Sequence, residues 1–117
     1  MSEHLEQVKF IAWFRREFNQ YPIFAIPNGG KRGKGEAGRL KAEGVTAGVS
    51  DLYCPGLKLW IEMKECEGKK MSKAQVDWAN YVTSIGDNFI LGLGYTDAKE
   101  KVLKFMLAGH KDAGDAK

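Results

Sequence analysis

The sequence predicts a single α/β domain in which helices flank a central mixed β-sheet. Apolar residues recur at helical spacing in several segments, and shorter apolar, β-branched runs lie between them, with Gly or Pro at the boundaries. The resulting order is helix, strand, short helix, strand, strand, helix, strand, helix, which is typical of a mixed sheet covered by helices. At 117 residues the chain is expected to form one domain over residues 1–117, with residues 110–117 as a frayed tail.

Three elements are predicted in the first part of the chain. Ser2 as N-cap, followed by apolar residues at helical spacing, predicts a helix over residues 3–18. The aromatic and β-branched stretch 21–27 has a proline near each end, which predicts an edge strand or an extended segment. Residues 36–43 are predicted to form a short helix that Gly44 ends.

A hairpin is predicted in the middle of the chain. Its strands run over residues 48–53 and 58–65, and both are strongly apolar. Pro55-Gly56 between them fits the central positions of a type II turn.

A helix, a strand and a final helix are predicted after the hairpin. Ser72 followed by Gln75 is the signature of a capping box and predicts the start of a helix that ends at Gly86. The apolar run 89–93 predicts a central strand with both faces covered, joined to the second hairpin strand by a right-handed parallel crossover. The last helix is predicted over residues 97–109.

Composition excludes some classes of protein. The formal net charge of +3 is too small by itself to indicate nucleic acid binding. Cys54 and Cys66 form no CxxC motif and His4 and His110 lie far apart, so no zinc site is expected. Few cysteines favour a reduced, cytoplasmic location. No apolar run approaches the roughly 20 residues of a membrane span, so no membrane partner is expected.

The predicted hairpin carries charges on one face. Side chains alternate along a strand, so Glu62 and Lys64 share a face roughly 6.6 Å apart, and the turn brings Asp51 back beside them. Neighbouring carboxylates repel unless a cation lies between them, and their oxygens, with the Met63 carbonyl, suit Mg²⁺. The alternative is an ordinary surface ion pair between Glu62 and Lys64, with Asp51 ending a strand.

A basic segment precedes the hairpin and a second follows it. Flexible, positively charged backbone of this kind can follow a phosphate chain, although lysine-rich loops are also commonly only solvated. The candidate phosphate contacts are Lys31, Arg32, Lys34, Arg39, Lys41, Lys69, Lys70 and Lys73.

These residues carry a family resemblance. Asp51, then Glu62-Met63-Lys64, resembles the D…(D/E)-x-K core of the PD-(D/E)XK nuclease superfamily, with Ser50 where the superfamily's name has proline. From about residue 5 to residue 106 the chain resembles the small, stand-alone, bacteriophage-type form of the virus-type replication-repair nuclease (VRR-NUC) domain. The other matching residues are Glu6, Pro27-Asn28-Gly29-Gly30, Gly44-Val45, Gly48-Val49-Ser50-Asp51-Leu52, Gln75 and Trp78.

The resemblance implies a restriction-endonuclease-like fold and hydrolysis of DNA phosphodiesters with Mg²⁺ or Mn²⁺. It implies structure-selective cutting of branched DNA, such as four-way (Holliday) junctions, by a homodimer. Asp51 and Glu62 would bind the metal with the Met63 carbonyl, and Lys64 would be the catalytic lysine, acting as a base or as an electrostatic stabiliser. The helix-one acid Glu6 would complete the metal site, Gln75 would support it, and Asn28 would join the basic residues Lys31, Arg32, Lys34, Arg39, Lys69 and Lys70 in contacting DNA.

Alternatives remain open at this stage. Glu6 is also explained as an acid that favours the start of a helix, Gln75 as a capping-box residue, and Asn28 as a turn residue. At the level of function, the alternatives are a flap or nicking nuclease, a DNA-binding module of the same fold without cleavage activity, and a small interaction protein with no site.

Overall fold

The computed structural model describes residues 2–27 and 34–109, which form a mixed four-stranded sheet covered by helices. In chain order the elements are α1 (Glu3–Glu17), β1 (Phe24–Ala25), α2 (Lys34–Ala42), β2 (Leu52–Cys54), a 3₁₀ turn (Pro55–Leu57), β3 (Leu59–Lys64), α3 (Lys73–Ser84), β4 (Asn88–Leu93) and α4 (Tyr95–Leu107). The strands lie in the order β1-β2-β3-β4. The α/β fold class predicted from the sequence is confirmed.

The sheet joins an antiparallel half to a parallel pair. β2 pairs antiparallel with both β1 and β3, and β3 pairs parallel with β4 through the crossover helix α3. The register places Leu52 opposite Ile61 and Cys54 opposite Leu59. Every second residue of β2 and β3 therefore points to the same face, as the strand period of two requires.

The two faces of the sheet are covered by different helices. Phe10 and Phe14 of α1 are fully buried in the main core, which also contains Leu59, Ile61 and Met63 of β3. The aromatic residues Phe10 and Phe14 of α1 thus form part of the core of the single chain. The other face of β3 carries Trp60, Glu62 and Lys64 and lies under α3, where Trp60 packs edge-to-face on Trp78 at 5.2 Å.

The predicted type II turn is wrong. Pro55 begins a 3₁₀ turn instead, and Lys58 rather than Gly56 takes the positive φ, at 48°. Pro is suited to the first position of a helical turn, and this conformation buries Leu57, which is 2% exposed, in the core. The hairpin strands are also shorter than predicted, 52–54 and 59–64.

The predicted central position of the last strand is also wrong. Among residues 2–27 and 34–109, β4 is an edge of the sheet. Its apolar run instead reflects the helices α3 and α4, which both pack against it. The final helix begins at Tyr95, two residues before the predicted start, because Asp97 lies within its first turn and accepts a hydrogen bond from Leu93 N.

No helix in the described part of the chain combines the length and the apolar character needed to cross a membrane.

Candidate active site

Asp51 and Glu62 face each other across β2 and β3. Continuing the register of Leu52 with Ile61 by one residue places Asp51 opposite Glu62. Asp51 Oδ2 also accepts the backbone N–H of Met63 at 2.7 Å, which fixes the carboxylate against β3. The sheet therefore brings together the two acids that the sequence places on one face.

Glu62 lies in an environment that opposes its ionisation. Its side chain is buried, with 2% of the residue exposed. Burial, and then the negative charge and hydrogen bond of Asp51, raise the pKa of Glu62 to about 8, although Lys64 acts in the opposite direction. A site that holds two carboxyl groups this close is suited to a bound cation, which would stabilise the ionised form of both.

Gln75 connects the two charged residues of β3. Its Nε2 donates to Glu62 Oε2 at 3.0 Å, and its Oε1 accepts from Lys64 Nζ at 2.9 Å. Lys64 Nζ also lies 4.0 Å from Glu62 Oε2. The side chain of Lys64 is therefore held over the acids rather than extended into solvent.

The same side chain of Gln75 closes the capping box of α3. Gln75 Oε1 accepts from Ser72 N at 2.8 Å, and Ser72 Oγ accepts from Gln75 N at 3.2 Å. The two roles that the sequence suggests for Gln75 do not compete, because one carbonyl oxygen has two lone pairs and serves both Ser72 and Lys64.

Glu6 is engaged at the start of α4. It is 8% exposed, and its Oε1 accepts the backbone N–H of Tyr95 at 2.7 Å. This carboxylate meets the N-terminus of a helix, where negative charge is favoured. Metal ligation by Glu6 stays a prediction, since the contact that the structure records for it is with Tyr95.

Glu3, one turn before Glu6 on α1, is a further candidate acid that sequence reasoning did not single out. The surrounding protein desolvates the Glu3 carboxyl and raises its pKa, and the charge of Asp51 adds to the rise while Lys64 opposes it. Glu3 therefore lies near enough to Asp51, Glu62 and Lys64 for their charges to interact. Its position in the first turn of the same helix as Glu6 is the signal that could have identified it as a second candidate.

The site fits a hard divalent cation with few protein ligands. Among residues 2–27 and 34–109, no three acid, histidine or cysteine side chains lie close enough together to hold a metal ion. Mg²⁺ commonly takes one or two carboxylates and completes its shell with water and substrate phosphate. Lys64 O accepts from Gly94 N on the β4 side. Successive strand carbonyls alternate in direction, so the Met63 carbonyl points to the β2 side, where Asp51 lies.

The predicted DNA-contacting residues are only partly described. Arg39 is exposed on α2 and pairs with Glu36 at 3.2 Å, Lys69 pairs with Glu65 at 3.0 Å, and Lys70 is exposed beside it. These are surface positions in the segments that precede and follow the hairpin along the chain. The residues Asn28, Lys31 and Arg32, and the side chain of Lys34, lie outside the described residues.

Comparison with known proteins identifies the fold. No family model and no curated protein sequence matches the chain. A solved structure described as a "VRR_NUC domain protein" matches with a TM-score of 0.77 at 20% sequence identity, over 92% of this chain and 89% of that chain. At this identity the likeness concerns the three-dimensional fold and nearly the whole length of both chains. The chain therefore has the fold of a VRR_NUC domain.

Proposed function

We propose that this chain is a Mg²⁺- or Mn²⁺-dependent endodeoxyribonuclease that cuts branched DNA, such as four-way junctions, as a homodimer. One observation carries the proposal. Asp51, Glu62, Lys64 and Gln75 meet on one face of the sheet, within a fold that a VRR_NUC domain protein shares. Two carboxylates can hold a divalent cation and an ammonium group can stabilise charge on a phosphoryl oxygen, so this cluster suits metal-assisted phosphodiester hydrolysis.

Asp51 and Glu62 would hold the cation, with the Met63 carbonyl beside them. A bound divalent cation would lower the pKa of a coordinated water and neutralise charge on the phosphoryl group. The low exposure of Glu62 keeps bulk water away from one side of the site, which strengthens electrostatic interactions there.

Lys64 would act on the reacting phosphate. In hydrolysis, a P–O bond forms from water and the P–O bond to one deoxyribose breaks. Lys64 Nζ, held by Gln75 at 2.9 Å, would as an ammonium group donate to a phosphoryl oxygen as negative charge accumulates, or would as a neutral amine accept the proton that the attacking water loses. Gln75 orients Lys64 and Glu62 and is a positioning residue.

Recognition of DNA is proposed to depend on the backbone of the nucleic acid. The predicted contacts are lysines and arginines that neutralise phosphates, and such contacts carry no sequence information. Binding is therefore expected to weaken with salt, with a slope near −0.9 for each phosphate neutralised on duplex DNA. The homodimer is proposed because a symmetric junction presents two equivalent strands to cut.

The test is cleavage of a panel of labelled DNAs by the purified chain. Four-way junctions, flaps, nicked duplexes and linear duplexes are incubated with Mg²⁺, with Mn²⁺ and with a chelator, beside the variant Lys64→Met, which keeps the aliphatic stem and loses the ammonium group. Lys9→Met on the exposed surface of α1 is the matched control. Metal-dependent cutting of the junction that Lys64→Met loses and Lys9→Met keeps supports the proposal.

Other outcomes of this test correct the proposal. Preferential cutting of flaps or nicked duplexes would change the proposed substrate class and leave the proposed metal-dependent hydrolysis in place. Tight junction binding with no cleavage in either metal identifies a DNA-binding module. Cleavage that survives both the chelator and Lys64→Met would overturn the assignment of the site. A monomeric mass in light scattering, with and without junction DNA, would remove the homodimer.

A further inference from the structure

A backbone contact links two segments that carry candidate active-site residues. Gly48, three residues before Asp51, lies against Ala74 in the first turn of α3, directly before Gln75. A β-carbon at Gly48 would lie 2.3 Å from Ala74 O, 2.5 Å from Ala74 C and 3.0 Å from Ala74 Cβ. No side chain fits this space, so the two segments touch only because residue 48 is glycine.

The conformation of Gly48 adds a second requirement. Its φ is +88°, in the left-handed region that side chains disfavour. Gly86, at the other end of α3, has a nearly equal φ of +96° but nothing within 4 Å of an added β-carbon. The two glycines thus share the backbone conformation and differ in the contact, which makes Gly86 a matched control.

The contact lies where a small displacement matters. Ala74 O is a backbone atom within the helix, so it cannot move aside as a flexible side chain would. To accept a β-carbon at residue 48, the first turn of α3 or the segment before Asp51 would have to shift by most of an ångström. The hydrogen bonds from Gln75 to Glu62 and from Lys64 to Gln75, at 3.0 and 2.9 Å, join the next residue of this same helical turn to β3.

We propose that Gly48 is a positioning residue, which seats the first turn of α3 against the segment before β2 and so holds the Gln75 amide on Glu62 and Lys64. Gly48 brings no side chain to the site, and the close approach that the structure records for it is to Ala74. Its effect on catalysis rests on the proposed nuclease function, whereas its effect on Gln75 does not.

The inference is tested first without any cleavage assay. In the NMR spectrum of the whole chain, the side-chain amide of Gln75 is assigned by its loss in Gln75→Glu. Gly48→Ala is expected to move this signal toward the position of a solvated glutamine amide, whereas Gly86→Ala leaves it in place. In the unmodified chain, a nuclear Overhauser effect is expected between the Gly48 α-hydrogens and the Ala74 methyl group, which tests the contact even if Gly48→Ala does not fold.

Cleavage kinetics give the second readout. Gly48→Ala is expected to lower kcat by roughly 10- to 100-fold with little change in KM, since misplacement near 1 Å has effects of this size. The kcat of Gly86→Ala is expected to stay within about twofold of that of the unmodified chain. This variant also places a β-carbon on a residue with positive φ, but that β-carbon meets no neighbouring atom. If Gly48 acts through Gln75, the double variant Gly48→Ala/Gln75→Ala is no slower than Gln75→Ala alone.

The outcomes separate the positioning role from the proposed function. An unmodified chain that cuts no DNA overturns the nuclease proposal, and the NMR result still decides the role of Gly48. An unshifted Gln75 signal in Gly48→Ala, an equal effect of Gly86→Ala, or the absence of the Gly48–Ala74 nuclear Overhauser effect would each overturn the positioning role.

Discussion

Asp51 and Glu62 face each other across two antiparallel strands, and the sheet holds them together although their charges repel. The strand register sets them opposite, and the hydrogen bond from Met63 N fixes Asp51 at 2.7 Å. Burial, and then the charge and hydrogen bond of Asp51, raise the pKa of Glu62 to about 8. Glu62 is buried and Asp51 is half-buried, and two acids held this close are costly unless they share a cation or a proton, which supports the proposed site.

The stability of the metal-free chain is expected to fall as the pH rises. The pKa of Glu62 is raised from its ordinary value of 4.5 to about 8, so between these values the folded state keeps a proton that the unfolded state has lost. The free energy of unfolding then falls with pH over this range, by at most about 1.4 kcal/mol per pH unit, and levels off above it.

Denaturant unfolding across this pH range checks the prediction. Glu62→Gln, which has no proton to lose, is the control and is expected to flatten the profile. Added Mg²⁺ is expected to restore stability most at the upper end of the range, because a cation favours the ionised form of Glu62. A profile that does not change in Glu62→Gln would show that other groups control the pH response.

The two roles of Gln75 are expected to separate by mutation. Ser72→Ala removes the hydroxyl that accepts Gln75 N and is expected to cost about 1 kcal/mol of stability, with cleavage within a few-fold of the unmodified chain. Gln75→Met removes the contacts with Lys64 and Glu62 as well as the capping contact with Ser72 N, so it is expected to cost stability too and to lower kcat far more than Ser72→Ala does, roughly 10- to 100-fold. Thermal unfolding and single-turnover cleavage measure the two effects, and equal losses of cleavage in both variants would contradict the separation.

Glu3 and Glu6 are expected to differ although they lie one turn apart. Glu6→Gln weakens a charge-assisted hydrogen bond to Tyr95 N and is expected to cost about 1–2 kcal/mol of stability. Glu3→Gln is expected to change stability little, since the residue is exposed, and to raise the Mg²⁺ concentration needed for half-maximal cleavage. The measurements are denaturant unfolding and cleavage against metal concentration. The reverse pattern would make Glu6 the metal-site acid and Glu3 the helix residue.

The sequence predicts the site best where strand alternation decides it. Because side chains alternate along a strand, Glu62 and Lys64 must lie on the same face of the sheet, and the hairpin pairing places Asp51 on that face as well. The helix acids are harder, because the rotation of α1 about its axis depends on how its aromatic residues pack in the core. The edge position of β4 was missed for a related reason, since an apolar run reports that the faces of a strand are covered and says nothing of its lateral neighbours.

Two chains are expected not to associate through the outer edge of β4, because the side chains of Asp97 and Lys101 occupy that edge. Asp97 Oδ2 accepts from Leu93 N at 2.9 Å, Lys101 Nζ donates to Leu91 O at 2.7 Å, and the two side chains pair at 2.8 Å. An ion pair thus fills hydrogen-bonding positions that an added strand would use, and open edges promote association. The double variant Asp97→Ala/Lys101→Ala is expected to associate with rising concentration beyond the unmodified chain.

Sedimentation velocity over a range of concentrations checks this expectation. The control is Lys73→Ala/Asp77→Ala, which removes a pair of equal length, 2.8 Å, and equal i,i+4 spacing from the exposed surface of α3, where no strand edge lies beneath it. Both double variants lose two opposite charges and keep the net charge, so only the edge distinguishes them. Association of both double variants would show that the loss of surface charges causes it. Association of neither would show that the edge of β4 does not pair even without the ion pair, because its twist and short length suffice to prevent pairing. Association confined to the Asp97/Lys101 variant would also place the proposed homodimer interface on another surface, since the edge of β4 is closed to it while the pair is intact.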